Sequence, residues 1–213
     1  MTYGGPVDEP RERRMHRRVA LMVGGCAVIG LGVSLVLNAR LGADGYATAV
    51  DGIAQTTGVA FWIVNSVIGI ALIAIAWARG IRPGVGTLVA AVIVGVVVSL
   101  AEPHLPDVDA LAPRIATFAV GFTAMVIGVA AYLAASLGAG PAEAAALAFD
   151  PPIPFRWTYS ALHLVGATLG WALGAAVGAG TLIVIVGVGP AVDLMIRRLF
   201  GMTPAATVSG AAP

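Results

Sequence analysis

Six apolar stretches of near-membrane length dominate the chain, at about 19–37, 59–78, 83–101, 115–137, 157–177 and 181–195, each bounded by charge, proline or glycine. A bilayer core of about 30 Å takes about 20 helical residues to cross, and within it only helices or closed barrels satisfy their own backbone hydrogen bonds. The six stretches therefore read as spanning helices, the last being short unless Arg197 and Arg198 extend their stems toward the interface. Only 11% of residues are charged and mean hydropathy is +0.93, against about 25% charged in an ordinary soluble domain. A soluble globular protein is excluded.

Charge placement sets the topology. All twelve basic residues are arginine. With six spans and a cytoplasmic N-terminus, Arg11, Arg13, Arg14, Arg17, Arg18, Arg79, Arg82, Arg156, Arg197 and Arg198 fall on the cytoplasmic side and only Arg40 and Arg114 outside, the bias that orients bacterial membrane proteins. The longest external loop, 102–114, holds Glu102, Asp107, Asp109 and three prolines. The first span is too long for a signal-peptide core and no Ala-x-Ala site follows it. The expected organisation is a disordered basic cytoplasmic segment at 1–17, a membrane domain at 18–200 and a disordered cytoplasmic tail at 201–213, in the inner (plasma) membrane. Nucleic acid is not an expected partner, because the N-terminal arginines directly flank an apolar run rather than forming a basic face. One cysteine, Cys26, excludes an internal disulfide and a cysteine zinc site.

The chain also repeats itself. Gly32-Val33, Leu37, Ala39 and Leu41-Gly42-Ala43 return at a constant shift as Gly128-Val129, Leu133, Ala135 and Leu137-Gly138-Ala139. At a shift two residues smaller, Phe61, Trp77-Ala78, Gly80, Gly84-x-Gly86-Thr87-Leu88 and Gly95 return as Phe155, Trp171-Ala172, Gly174, Gly178-x-Gly180-Thr181-Leu182 and Gly189. Each unit, about 18–101 and 115–198, holds three spans, and three is odd, so the second enters the membrane from the opposite face. The expected fold is all-α transmembrane, with six spanning helices in two inverted three-helix repeats and a short half-helix after the first span of each.

Several of these residues carry a family resemblance: Gly30-Leu31-Gly32 leading to Ala39-Arg40-Leu41-Gly42-Ala43, then Leu137-Gly138-Ala139-Gly140-Pro141-Ala142-Glu143, Phe155-Arg156, Gly170-Trp171-x-Leu173-Gly174, Gly178-x-Gly180-Thr181 and Gly189-Pro190. Over roughly residues 18–198 the chain resembles the YczE-type integral membrane proteins of bacteria, grouped with the YitT and YyaS types. The resemblance implies a multi-spanning membrane fold and no particular substrate.

The half-helix segments, 46–55 and 141–149, are too short to cross a bilayer. They read either as re-entrant helices whose N-termini face the midplane, a device for holding solutes, or as helices lying along the interface. Candidate solute-binding residues are Asp44, Asn65, Glu143, Tyr159 and His163. Glu143 follows Gly140-Pro141 as a helix-start acid, or serves as a titrating carboxylate, since charge at membrane depth is seldom kept without a use. Asp44 and Asp51 raise the same question or face external water. His163, one turn beyond Tyr159 on a helix with glycine at 166, 170, 174 and 178, points into the bundle, either hydrogen-bonded across the interface or acting in proton relay. Asn65 reads as an interior polar position. The Gly-x-Gly-Thr motifs lack a preceding strand and a following Lys-Ser or Lys-Thr, so they are not nucleotide loops; Thr87 and Thr181 are expected as N-caps. Gly189-Pro190 should kink the last span.

No paired carboxylates, metal-spaced histidines or activated nucleophile stand out, so neither catalysis nor a metal or cofactor is expected. The leading expectation is a protein that binds or transports a small solute between its repeats. Its rival is a non-transporting membrane protein acting through helix contacts with a partner or a second copy.

Overall fold

The computed structural model describes residues 11–81, 84–138, 140–150, 152–153 and 155–200. The N-terminal ten residues, the 201–213 tail, Arg82, Pro83 and Ala139 lie outside the described residues, as do the side chains of Phe155, Arg156 and Asp193. The helices are α1 (Arg11–Asn38), α2 (Gly45–Thr57), α3 (Phe61–Ala78), α4 (Val85–Ala101), α5 (Leu111–Ala134), α6 (Pro141–Leu147), α7 (Phe155–Ala172) and α8 (Ala179–Phe200), with one 3-10 turn at Glu102–His104. Residues 11–17, expected to be disordered, are instead the first turns of α1.

Among the described residues, five helical stretches are long and apolar enough to cross a membrane: Met15–Asn38, Phe61–Ala78, Gly86–His104, Leu111–Ala134 and Ala179–Leu199. α7 is as long as α3 but more polar, carrying Thr158, Tyr159, Ser160 and His163, and it ends at Ala172 instead of running to 177. The half-helix segments are helical as expected, as α2 and α6. Two expectations about caps need correction. Gly84 is the N-cap of α4, and Thr87 lies inside the first turn. Thr181 likewise sits inside α8, where its hydroxyl accepts from the Gly178 N–H at 3.3 Å; a glycine before each helix allows the close backbone approach described next. α8 continues through Pro190.

Helix contacts are made at glycines. α1 and α5 run antiparallel, Gly25 against Gly128 and Gly32 against Gly121, so closely that a methyl on any of the four would enter the partner's backbone. α2 runs parallel to α7: Gly45 lies on the His163 carbonyl, Gly166 on the Gly45 carbonyl, Gly170 on the Thr48 carbonyl, and Gly52 beside Gly170. α6 runs parallel to α3, from Pro141 beside Gly69 to Ala144 and Ala148 packed with Ala76.

The links between the two halves come in matched pairs. The Gly86 N–H donates to the Leu137 carbonyl at 3.0 Å, and the Gly180 N–H to the Leu41 carbonyl at 2.8 Å. Arg18 donates to the carbonyls of Ala135 (2.8 Å) and Ser136 (2.5 Å) at the end of α5. Arg114 donates to the carbonyls of Ala39 (2.8 Å) and Arg40 at the end of α1. Arg40 and Ser136 are left-handed, at φ 51° and 50°, a conformation costing a residue with a Cβ about 1–2 kcal/mol. A guanidinium fork on the adjacent carbonyls offsets that cost at each helix end.

Candidate functional site

His163 stands midway along α7, and the first residue of α2 rests on its carbonyl. Pro141, the first residue of α6, rests on Gly69, midway along α3. Both short helices thus begin level with the middle of a longer helix, α2 against α7 and α6 against α3, and each runs parallel to its neighbour from there.

The polar residues gather where these tips approach each other. Asp44 is the N-cap of α2, its Oδ1 accepting from the Ala47 N–H at 3.0 Å, so the carboxylate is held over the positive end of the helix. It does not face open solvent: its side chain is 15% exposed, and Oδ1 lies 3.7 Å from Nδ1 of His163. His163 is buried, and neither ring nitrogen makes a hydrogen bond. The expected hydrogen bond to a carbonyl or hydroxyl across the interface is therefore not the arrangement found. The Tyr159 ring tilts against the imidazole, centroids 4.3 Å apart, and its hydroxyl donates to Oε1 of Glu143 at 3.4 Å. Glu143 lies in the first turn of α6, its carboxylate folded over Gly140. Carboxylate, imidazole, phenol and carboxylate thus form one chain from the tip of α2 to the tip of α6.

Asn65 is buried but turned elsewhere. Its Nδ2 donates to the Ala91 carbonyl of α4 at 2.6 Å, and its own carbonyl accepts from the Tyr46 hydroxyl at 3.1 Å, so it ties α2, α3 and α4 together. Asp51, two turns along α2, is buried and accepts from Gln55 Nε2 at 2.7 Å. Two tyrosines escaped the sequence reading. Tyr46 packs its hydroxyl near Gly69, and the buried Tyr132 hydroxyl lies beside Gly140 with no hydrogen-bond partner. Both sit in apolar runs and differ from phenylalanine by one atom, so only their neighbours reveal them.

Comparison with known proteins completes the picture. Residues 16–197 match DUF6198, described as a family of unknown function. The chain belongs to this family. It is 23% identical over 184 residues to an uncharacterized protein of Haemophilus influenzae, covering 85% of this chain and 84% of that one. It is 26% identical over 103 residues to the uncharacterized membrane protein YczE of Bacillus subtilis, covering 47% of this chain and 48% of that protein. No solved structure matches the chain. The DUF6198 chain also exposes apolar side chains all along its helices, among them Val67, Ile70, Leu100, Leu164, Leu182 and Val186. Such a surface suits lipid and not water, and the chain is a multi-pass membrane protein.

Proposed function

We propose that this DUF6198 protein binds and moves a small solute through the Asp44–His163–Tyr159–Glu143 cluster, at the interface of two inverted three-helix repeats. The observation that carries the reading is the convergence of both half-helix tips on a buried polar chain at mid-depth, the place where inverted-repeat transporters hold their substrates. The inverted repeat is supported by the matched links: Arg18 and Arg114, Leu41 and Leu137, and Arg40 and Ser136 are related by the same sequence shift as the repeated motifs, and Gly86 and Gly180 by the second shift. α7 as the sixth span is supported by the tryptophans. All four lie within two residues of the ends of α3 and α7, and all are exposed, as in the aromatic belts at the two membrane interfaces. The reading involves no chemical conversion of the solute.

The dry glycine contact of α1 with α5 favours the second reading, a membrane protein that works through helix contacts with a partner. Thiol labelling separates the two. In a Cys26→Ala background, Tyr159→Cys should react with a small water-soluble methanethiosulfonate in intact membranes if solute and water reach the cluster. Complete inertness of the folded protein from both faces would rule out transport and leave the contact reading.

We also place both termini in the cytoplasm and the protein in the inner membrane, from the arginine distribution. Asp107→Cys, again without Cys26, should label from outside intact cells with an impermeant maleimide; labelling only after lysis would reverse the topology.

A further inference from the structure

We infer that Asp44 and His163 form a proton-binding site, the coupling-ion site of the solute pathway proposed above. The inference rests on that reading but stands on separate observations. His163 is 6% exposed, yet both ring nitrogens are without hydrogen bonds, and a buried polar group left unpaired is destabilising. Its Nδ1 points at a carboxylate 3.7 Å away, close enough for a charged pair once the ring carries a second proton. The groups facing the imidazole are Asp44 on the tip of α2, Tyr159 on α7 itself and, through Tyr159, Glu143 on α6; Tyr46 and Tyr132 flank α6. Lysine is absent from the chain, and the hydrogen-bonded guanidinium groups sit at helix ends on Ala39, Ala135 and Ala148. Among the described side chains, His163 is thus the basic group that faces Asp44, and a proton taken from water onto the imidazole would give that carboxylate a cationic partner.

The same proton acts on the tip of α2. Gly45, Gly166 and Gly170 make that contact largely backbone to backbone, and the Thr56 hydroxyl donates to the Leu173 carbonyl at 3.0 Å farther along, so the Asp44–His163 pair adds its hold at the tip itself. Proton uptake forms the imidazolium and tightens the tip against α7; release to water loosens that one contact.

Nuclear magnetic resonance tests this directly, because the chain has three histidines. In full-length protein with His16→Gln and His104→Gln, embedded in phospholipid nanodiscs and labelled with 15N-histidine, the remaining imidazole is His163. Lowering the pH over the range in which the protein stays folded should convert its ring nitrogens from the neutral to the charged form. Asp44→Asn retains a good N-cap and should lower proton affinity about tenfold, as expected for loss of a carboxylate within about 4 Å; Glu143→Gln should lower it less. A ring that stays neutral throughout, or a charged fraction indifferent to Asp44→Asn, would overturn the proton site even if Tyr159→Cys reacts. A titrating His163 beside an inert Tyr159→Cys would keep the proton site and discard transport.

Discussion

Gly170→Ala and Gly45→Ala should each destabilise the folded protein by on the order of 3 kcal/mol, the upper part of the range for overpacking a tight interface. The added methyl at 170 would enter the Thr48 carbonyl, and that at 45 the His163 carbonyl. Backbone on the receiving side cannot rotate away as a side-chain end can, so α2 must leave α7 and take Asp44 from His163. Gly24→Ala is the internal control. Nothing lies within 4 Å of a Cβ at Gly24, and alanine is the better helix former by about 1 kcal/mol, so this change should stabilise. Unfolding in mixed lipid and dodecyl sulfate micelles measures all three. A mild effect at 45 and 170, equal to that at 24, would mean that α2 does not seat on α7 as described.

The second large effect belongs to the arginine forks. Arg18→Ala and Arg114→Ala should each cost about 2–3 kcal/mol, since hydrogen bonds to a charged donor are worth about 1.5–3 kcal/mol each and both side chains are half-buried. Lysine should not rescue either, because a single ammonium cannot span two neighbouring carbonyls as the planar guanidinium does. Ser136→Gly should recover about 1 kcal/mol in the Arg18→Ala protein by removing the left-handed penalty. The same unfolding assay reads these changes. A cost at one arginine only would show that the two helix ends are not equivalent, and with it the inverted repeat would lose its best support. Full rescue by lysine would instead reduce the forks to simple charge effects.

Much of the architecture is local and therefore legible. Apolar runs mark α1, α3, α4, α5 and α8, because transfer into lipid depends on each segment's own composition. Leu-Gly-Ala turns and Gly140-Pro141 mark where α2 and α6 begin, because glycine and proline act on their own backbone. The repeat we propose rests on a different signal, the return of tryptophan, phenylalanine and Gly-x-Gly-Thr in one register. Arg18 and Arg114 were legible only as flanking charges, although the repeat shift that relates Ala39 to Ala135 also relates these two arginines. Thr87 and Thr181 were misplaced by a rule about isolated helix ends, since the turns that precede them are set by Leu137 and Leu41 from the other half of the chain.

The candidate site shows the same division. Glu143, Tyr159 and His163 are conspicuous as polar groups in an apolar chain, and helical spacing places Tyr159 and His163 together. Their union with Asp44 is a different matter. Asp44 and His163 are far apart in sequence, and they meet because glycines at 45, 166 and 170 let two backbones touch. Sequence alone determined that the chain is helical and membrane-embedded, because those properties follow from side-chain transfer energies and periodicity within one segment. Tertiary structure alone decided that the two half-helices point their tips at each other, that Asn65 serves the packing of α4 instead of the cluster, and that His163 is left without a hydrogen bond. Those outcomes depend on steric fit between segments distant in the chain, and no local free energy encodes it.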